Sequence, residues 1–475
     1  MKESVQVFKN DSYNDWKIYP RSVVTSPDGE QVAYVVHKDN KTRVIMNDHA
    51  GPAYAGILAG TPVFSYDSKH LAYSAKKTNN SWVMVLDGKE GRAYDVISSP
   101  IFSTDSRHSA YIVKNQNRFC IVLDGKEGPY FAGISKTSIP SFSPDNKHFI
   151  YVALDENNRM HLVVDQKIIS SAELIAFPSY SPDARQLVYV QKIKDKYFLV
   201  INNKPSQGPG YESINYLAYS PDSKYVIYLA TKNAKSYLVK DGVEYGPYDN
   251  VGVPVIISPD SKRVVYVAKK KNEYLLIENG VVIQKSLSPF QNIMLSRNSK
   301  RFVYSYKMKD KHIIVVDNKR SKEYDGITPP AMSLDSKHVV YKARKGNKHM
   351  FVFDGIEGPL FDEIGEAILS NDSRHYAYAA KDNNLWKVVV DGKSGPAFPF
   401  VIHPMFSPDS SHIAYMALDS DVKGKYVFVV DHKKGKETFD GFLEMTPIVF
   451  DSPSSFKTIA ITRGPCFALV KMEIR

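Results

Sequence analysis

Ser143-Pro144-Asp145-Asn146-Lys147-His148-Phe149-Ile150-Tyr151 decides the fold, because it is one copy of a phrase that recurs along the whole chain. The pattern is Ser-Pro-Asp-x-Lys/Arg-x-apolar-apolar-Tyr. Its tyrosine falls at Tyr34, Tyr73, Tyr111, Tyr151, Tyr189, Tyr228, Tyr266, Tyr304, Tyr341, Tyr378 and Tyr415, eleven times at spacings of 37 to 40 residues. So steady a period means that each unit is one supersecondary element that buries its face against the next.

Working outward, the proline presets φ and the Asx side chains cap nearby backbone donors, so the phrase is a tight turn. The segments on either side are short, β-branched and aromatic, with alternation near period two. Asp-Gly follows a further apolar run at Asp87-Gly88, Asp124-Gly125, Asp241-Gly242, Asp354-Gly355 and Asp391-Gly392, a strong hairpin signal. Each unit therefore holds four strands: a before Ser-Pro-Asp, b ending near the tyrosine, c ending at Asp-Gly, and d after it. No long helical pattern interrupts them. The expected fold is all-β, a β-propeller of about twelve four-stranded antiparallel blades of about 38 residues. A β-solenoid fits less well, since its units are shorter and lack these hairpins.

The twelfth unit is partial. Met445 to Phe450 reads as strand a, Asp451 to Ser455 as a degraded turn, and Lys457–Thr462 and Phe467–Ile474 as b and c. An N-terminal strand is expected to supply the missing d, and Tyr13–Ile18 is the strand-like candidate. Twelve blades make two six-bladed propellers, 1–242 and 243–475, or a single twelve-bladed propeller over 1–475. The usual size of propellers favours the first and the uniform spacing the second; two is the expectation.

The Ser-Pro-Asp phrase resembles the Pro-Asp-type WD-like propeller repeat of the TolB family, and is similar to the propeller domains of prolyl-oligopeptidase-type proteins. The resemblance spans nearly the whole chain and implies blade architecture without implying an activity. Departures occur: Tyr66, Thr104, Arg297, Leu334 and Asn371 replace the proline, Asn298 the aspartate, and Glu30 and Ser411 the basic residue.

Composition fits a folded protein, with 43% apolar and 12% aromatic residues and 31 tyrosines. The net charge of +11 favours an anionic partner surface. Cys120 and Cys466 lie in apolar runs of different repeats and read as buried free thiols, not a disulfide framework. The polar N-terminus, Met1–Lys9, has no apolar core of a signal sequence, so the expected compartment is the cytoplasm, or the periplasm or exterior if a leader has been removed. No stretch is long and apolar enough to span a bilayer.

Histidine follows the basic slot at His70, His108, His148, His338, His375 and His412. Equivalent positions on separate blades are too far apart to share one ion, so these read as strand-start side chains packing on their own turns. The repeated aspartates lack calcium-loop spacing. No Gly-x-Ser-x-Gly elbow, P-loop, dinucleotide fingerprint or Cys-x-x-Cys pair occurs. No catalytic, cofactor-binding or metal residue is assigned, and no cofactor is called for.

Basic residues recur after the a–b turn, at Lys69, Arg107, Lys147, Arg185, Lys224, Lys262, Lys300, Lys337 and Arg374. The b–c turns add Lys76-Lys77, Lys192–Lys196, Lys269–Lys271, Lys307–Lys311 and Arg344–Lys348. Charge at both ends of the blades suits a soluble surface better than one groove for nucleic acid or another polyanion. The expected function is a non-catalytic propeller scaffold that binds a protein or peptide through a face or the central channel. The alternatives are a lyase or hydrolase with a channel site, sought in the irregular stretches Asp165–Leu174 and Glu278–Asn298, and binding of an anionic polymer through the lysine-rich turns.

Overall fold

The computed structural model describes residues 2–8, 16–47, 49–206, 210–442, 448–462 and 466–474. Within them the chain forms twelve small antiparallel sheets. The fold is an all-β propeller of twelve blades. Blade 4 shows the plan: a at Gly133–Ile134 and Ser141–Phe142, b at Phe149–Leu154, c at Met160–Val164, d at Lys167–Ala172. Each strand pairs with the next in sequence, as tight turns dictate.

Strand a differs from expectation. In seven sheets it is two short pieces, both paired to b. A proline stands directly before the second piece at Pro62, Pro100, Pro140 and Pro330. Proline has no N–H for the ladder, so pairing breaks there.

The blades fall into two compact units, residues 131–362 and residues 1–130 with 363–475. The first holds blades 4 to 9 and the second blades 10 to 12 and 1 to 3. The Asp241-Gly242 turn lies inside the first unit, joining c and d of blade 6.

Successive blades in each unit bury apolar side chains against one another. Between blades 6 and 7, Ile227, Leu229 and Leu238 meet Val264, Tyr266 and Ile277. Between blades 10 and 11, Ala377, Val388 and Phe398 meet Tyr415, Val427 and Val429. The repeat tyrosines are core residues, and Tyr151, Tyr189, Tyr266, Tyr378 and Tyr415 are essentially fully buried. Cys120 is a buried free thiol. The backbone of Cys466 begins a strand, but its side chain lies outside the described residues.

The last blade is completed from the N-terminus, by a different segment than expected. Lys2–Phe8 pairs antiparallel with Cys466–Glu473, from Lys2↔Glu473 to Phe8↔Phe467. Lys17-Ile18 pairs instead with strand b of blade 1, and Tyr13–Asp15 lie outside the described residues. A second tie explains Glu30, which breaks the basic pattern. Its carboxylate accepts from Lys457 Nζ at 2.6 Å and lies 3.4 Å from Lys471 Nζ, both in blade 12. Those ammonium groups, Lys457 first, hold the Glu30 carboxyl below its ordinary range.

Candidate functional site

The a–b turns are built by side chains that satisfy backbone donors. In blade 6 the Ser220 hydroxyl donates to Asp222 Oδ1 at 2.7 Å and accepts the Tyr225 N–H at 3.1 Å, while Asp222 Oδ1 also accepts the Lys224 N–H. The residue at x has positive φ in these turns, and it is serine in most blades although Gly or Asn suits that conformation better. The reason lies in the preceding blade. Asp28 N–H donates to Ser68 Oγ, Asp67 to Ser106, Asp183 to Ser223, Asp222 to Ser261 and Asp260 to Ser299, each at 3.0 Å. These serines fasten one turn to the next. Sequence reading missed them; a recurrent serine at a left-handed position was the available signal.

The six histidines bind their own blades. His148 Nδ1 lies 2.6 Å from Asp165 Oδ2, and Asp165 Oδ1 accepts the Phe149 N–H at 2.9 Å. His70–Asp87, His108–Asp124, His338–Asp354, His375–Asp391 and His412–Asp431 repeat the contact at 2.6 to 2.8 Å. This joins the a–b turn to the c–d turn at one edge of the blade. Among the described residues no group of three or more His, Cys, Asp or Glu could hold a metal ion.

The turn aspartates carry an acid sensitivity. The Ser220 hydroxyl, ahead of other donors, holds the Asp222 carboxyl at about 2, and Ser407 does the same for Asp409. Asp67, Asp105, Asp145, Asp183, Asp260, Asp335 and Asp372 are lowered by the equivalent serine. A depressed folded pKa gives stability that is present above the unfolded value of about 3.9 and lost as pH falls through the folded value. Thermal melts should therefore fall steeply from about pH 4 to about pH 2. Ser220→Ala should bring the loss to higher pH; melts of both proteins with the same pH dependence would refute the assignment.

A second inter-blade bond uses strand d. Tyr54 Oη donates to Glu90 of the next blade at 3.0 Å, Tyr94 to Glu127 at 2.8 Å, Tyr211 to Glu244 at 3.0 Å and Tyr324 to Glu357 at 3.0 Å. The ring packs edge-on against a repeat tyrosine, as for Tyr54 on Tyr73, whose own hydroxyl burial pushes up to about 12. At three junctions where the following blade has no glutamate at this position, the tyrosine is replaced by phenylalanine, Phe131 before Ile168, Phe290 before Arg320 and Phe398 before Lys434, and at a fourth by alanine, Ala172 before Pro205. Tyr248 departs from this rule and meets the Tyr266 hydroxyl at 3.3 Å.

These networks leave clefts between successive blades at the turn edge. In the unit of residues 131–362, one of about 360 Å³ lies between blades 8 and 9, walled by Val316, Lys337, Val339, Tyr341 and Asp354. Another of about 190 Å³ lies between blades 6 and 7, with Lys240, Lys262, Val264, Tyr266 and Asn279 in the same roles. In the other unit, a cleft of about 450 Å³ between blades 1 and 2 has Met46, Lys69, Leu71, Tyr73 and Asp87. Each has an apolar floor, a repeat tyrosine at the back and the basic turn residue at the rim.

Several residues of the basic slot face carboxylates. Lys147, Lys224 and Lys337 sit 3.3 to 3.5 Å from the aspartate of their own turn, well exposed to solvent, so each pair contributes little. Lysines of the b–c turns and of strand c reach carboxylates elsewhere: Lys77 pairs with Glu90, Lys311 with Asp325, Lys345 with Glu357 and Lys348 with Asp362. The irregular stretches form edge strands of their sheets. Asp165–Leu174 supplies d of blade 4, where Ser171 hydrogen bonds His161. Glu278–Asn298 supplies d of blade 7, with Val281, Val282 and Ile283 exposed, and strand a of blade 8.

No family model matches the chain, and no curated protein matches it. Among solved structures it is similar to a eukaryotic initiation factor, at 13% identity over 78% of this chain and 96% of that one, with a TM-score of 0.36. TolB from Acinetobacter baumannii matches at 17% identity over 54% of this chain and 75% of that one, with a TM-score of 0.25. The tricorn protease matches at 11% identity over 93% of this chain and 55% of that one, with a TM-score of 0.26.

Proposed function

We propose that this protein is a non-catalytic propeller scaffold that binds a protein or peptide partner along the turn edges of its blades. The observation that supports this is the recurrence of one cleft, from the same repeat positions, at three blade junctions. An extended chain can make the same contact at more than one such junction, whereas catalysis needs one distinctive set of groups. The repeated Ser, Asp and His side chains engage the turns themselves, so what faces a partner is apolar floor and basic rim.

A photo-crosslinking amino acid at Lys69 and, separately, at Lys337 tests the reading. The expected result is the same protein cross-linked from both positions in the source lysate, surviving a high-salt wash. Turnover of a small molecule, with no cross-linked polypeptide from either position, would overturn it.

A further inference from the structure

We propose that the turn edge of blade 8 docks the carboxylate side chains of an acidic peptide segment, an inference that rests on the scaffold reading. Blade 8 departs from the repeat in one direction. Arg297 stands where other blades have Pro, Tyr, Thr, Leu or Asn. Asn298 stands where the other ten copies of the phrase have Asp, removing a carboxylate. Arg320 stands where blades 2, 3, 6 and 9 have Glu90, Glu127, Glu244 and Glu357. Arg301 takes the place of the histidine. Each change makes the edge more positive, and a solubilising surface gives no reason for all of them to fall on one blade.

The structure shows how these charges are held. Arg301 Nε binds Asp317 Oδ2 at 2.8 Å, and its Nη1 donates to the Lys337 carbonyl of blade 9. Blade 7 has an arginine at the same place, but there both Nε and Nη2 of Arg263 bind the Glu278 carboxylate, at 2.6 and 3.1 Å. Blade 11 has a cation at the Arg320 position, Lys434, and it is neutralised by Asp419 and Asp421, each at 2.6 Å. Arg320 has no carboxylate partner among the described residues. Its guanidinium lies over the Tyr306 ring at 5.8 Å, and its Nη2 contacts Met308 Sδ at 3.4 Å.

Arg301, Lys319, Arg320 and Lys337 line the 360 Å³ cleft against two carboxylates, Asp317 and Asp354. Its floor is Ile314, Val316 and Val339. A planar guanidinium is suited to forked bonding of a carboxylate, and the floor suits an apolar neighbour of the acidic residues. The ligand chemistry is therefore an aspartate- and glutamate-rich segment that carries an apolar side chain.

The probe is a fluorescein-labelled peptide of glutamates and aspartates around one leucine, titrated with the full chain by anisotropy. Wild type should bind and weaken with salt. Arg320→Glu should raise Kd at least about tenfold, as expected when a paired charge is reversed. Arg320 is exposed, and a Glu there follows Phe290, which has no hydroxyl to donate to it; Arg320→Gln, which removes the charge without adding a carboxylate, is the second variant, and it should weaken binding while melting as wild type does. Lys167→Ala, on the exposed strand d of blade 4 and outside the clefts, should leave Kd within about twofold. Equal binding by wild type and Arg320→Glu, equal binding of a glutamine–asparagine peptide, or tighter binding of inorganic polyphosphate would each overturn the proposal. The two readings separate cleanly. A cross-linked partner retained in full by Arg320→Glu overturns this site and leaves the scaffold standing. Peptide binding through Arg320 without any cross-linked partner overturns the scaffold alone.

Discussion

A chain lacking residues 1–8 is expected to lose on the order of 5 kcal/mol of stability in the unit that contains its last blade. The removed strand makes a seven-residue antiparallel register with Cys466–Glu473. Each ladder hydrogen bond contributes about 1 kcal/mol net, and its loss leaves an open edge on the neighbouring strand. Thermal unfolding followed by circular dichroism should show an earlier transition for this unit, and light scattering should show association through the bared edge. A peptide of residues 1–10 added in excess should restore the transition, because strand addition needs only backbone pairing. A truncated protein that melts like the full chain and stays monodisperse would show that the pairing carries no weight.

Tyr266→Ala is expected to cost about 4 kcal/mol, in the range for removing a large aromatic from a packed core. Tyr266 is essentially fully buried and packs between blades 6 and 7 with Leu229, Leu238 and Ile277. Tyr266→Phe keeps the ring and removes the hydroxyl that meets Tyr248, so it should cost about 1 kcal/mol. Urea unfolding of the two variants measures the difference. Equal losses would mean that the hydroxyl, and not the packed ring, holds the junction.

The blade was legible from sequence because its determinants are local. Pro-Asp turns, Asp-Gly hairpins and β-branched runs act within a few residues, and the turn phrase recurs eleven times. The completing strand was legible in kind and not in place. Tyr13–Ile18 carries Tyr13, Trp16 and Ile18, while Lys2–Phe8 opens on three polar residues, Lys2, Glu3 and Ser4, before its apolar ones. The junction bonds were out of reach of local reading. Ser68 at a left-handed position makes sense once Asp28, 40 residues earlier, is seen to need an acceptor. Glu30 was visible as a departure, and its cause, Lys457, lies 427 residues away. The lysines near the b–c turns looked unbalanced because their carboxylate partners lie 12 to 14 residues away on other segments. Blade 8 stands out when Arg320 and Lys434, both cations at one position, prove to have opposite surroundings.

The pairing of four strand-d tyrosines with a glutamate of the next blade bears on how this chain can change over time. A Tyr54→Phe change takes one of two donors from the Glu90 carboxylate, leaving it Lys77, and a Glu90→Ile change leaves a hydroxyl without its acceptor; the two together reproduce the Phe131 and Ile168 junction already present. Tolerated substitutions should therefore arrive in couples at positions 33 or 36 residues apart. A history written in couples ties each blade to its downstream neighbour, so a blade moved to another place in the order would meet the wrong partner.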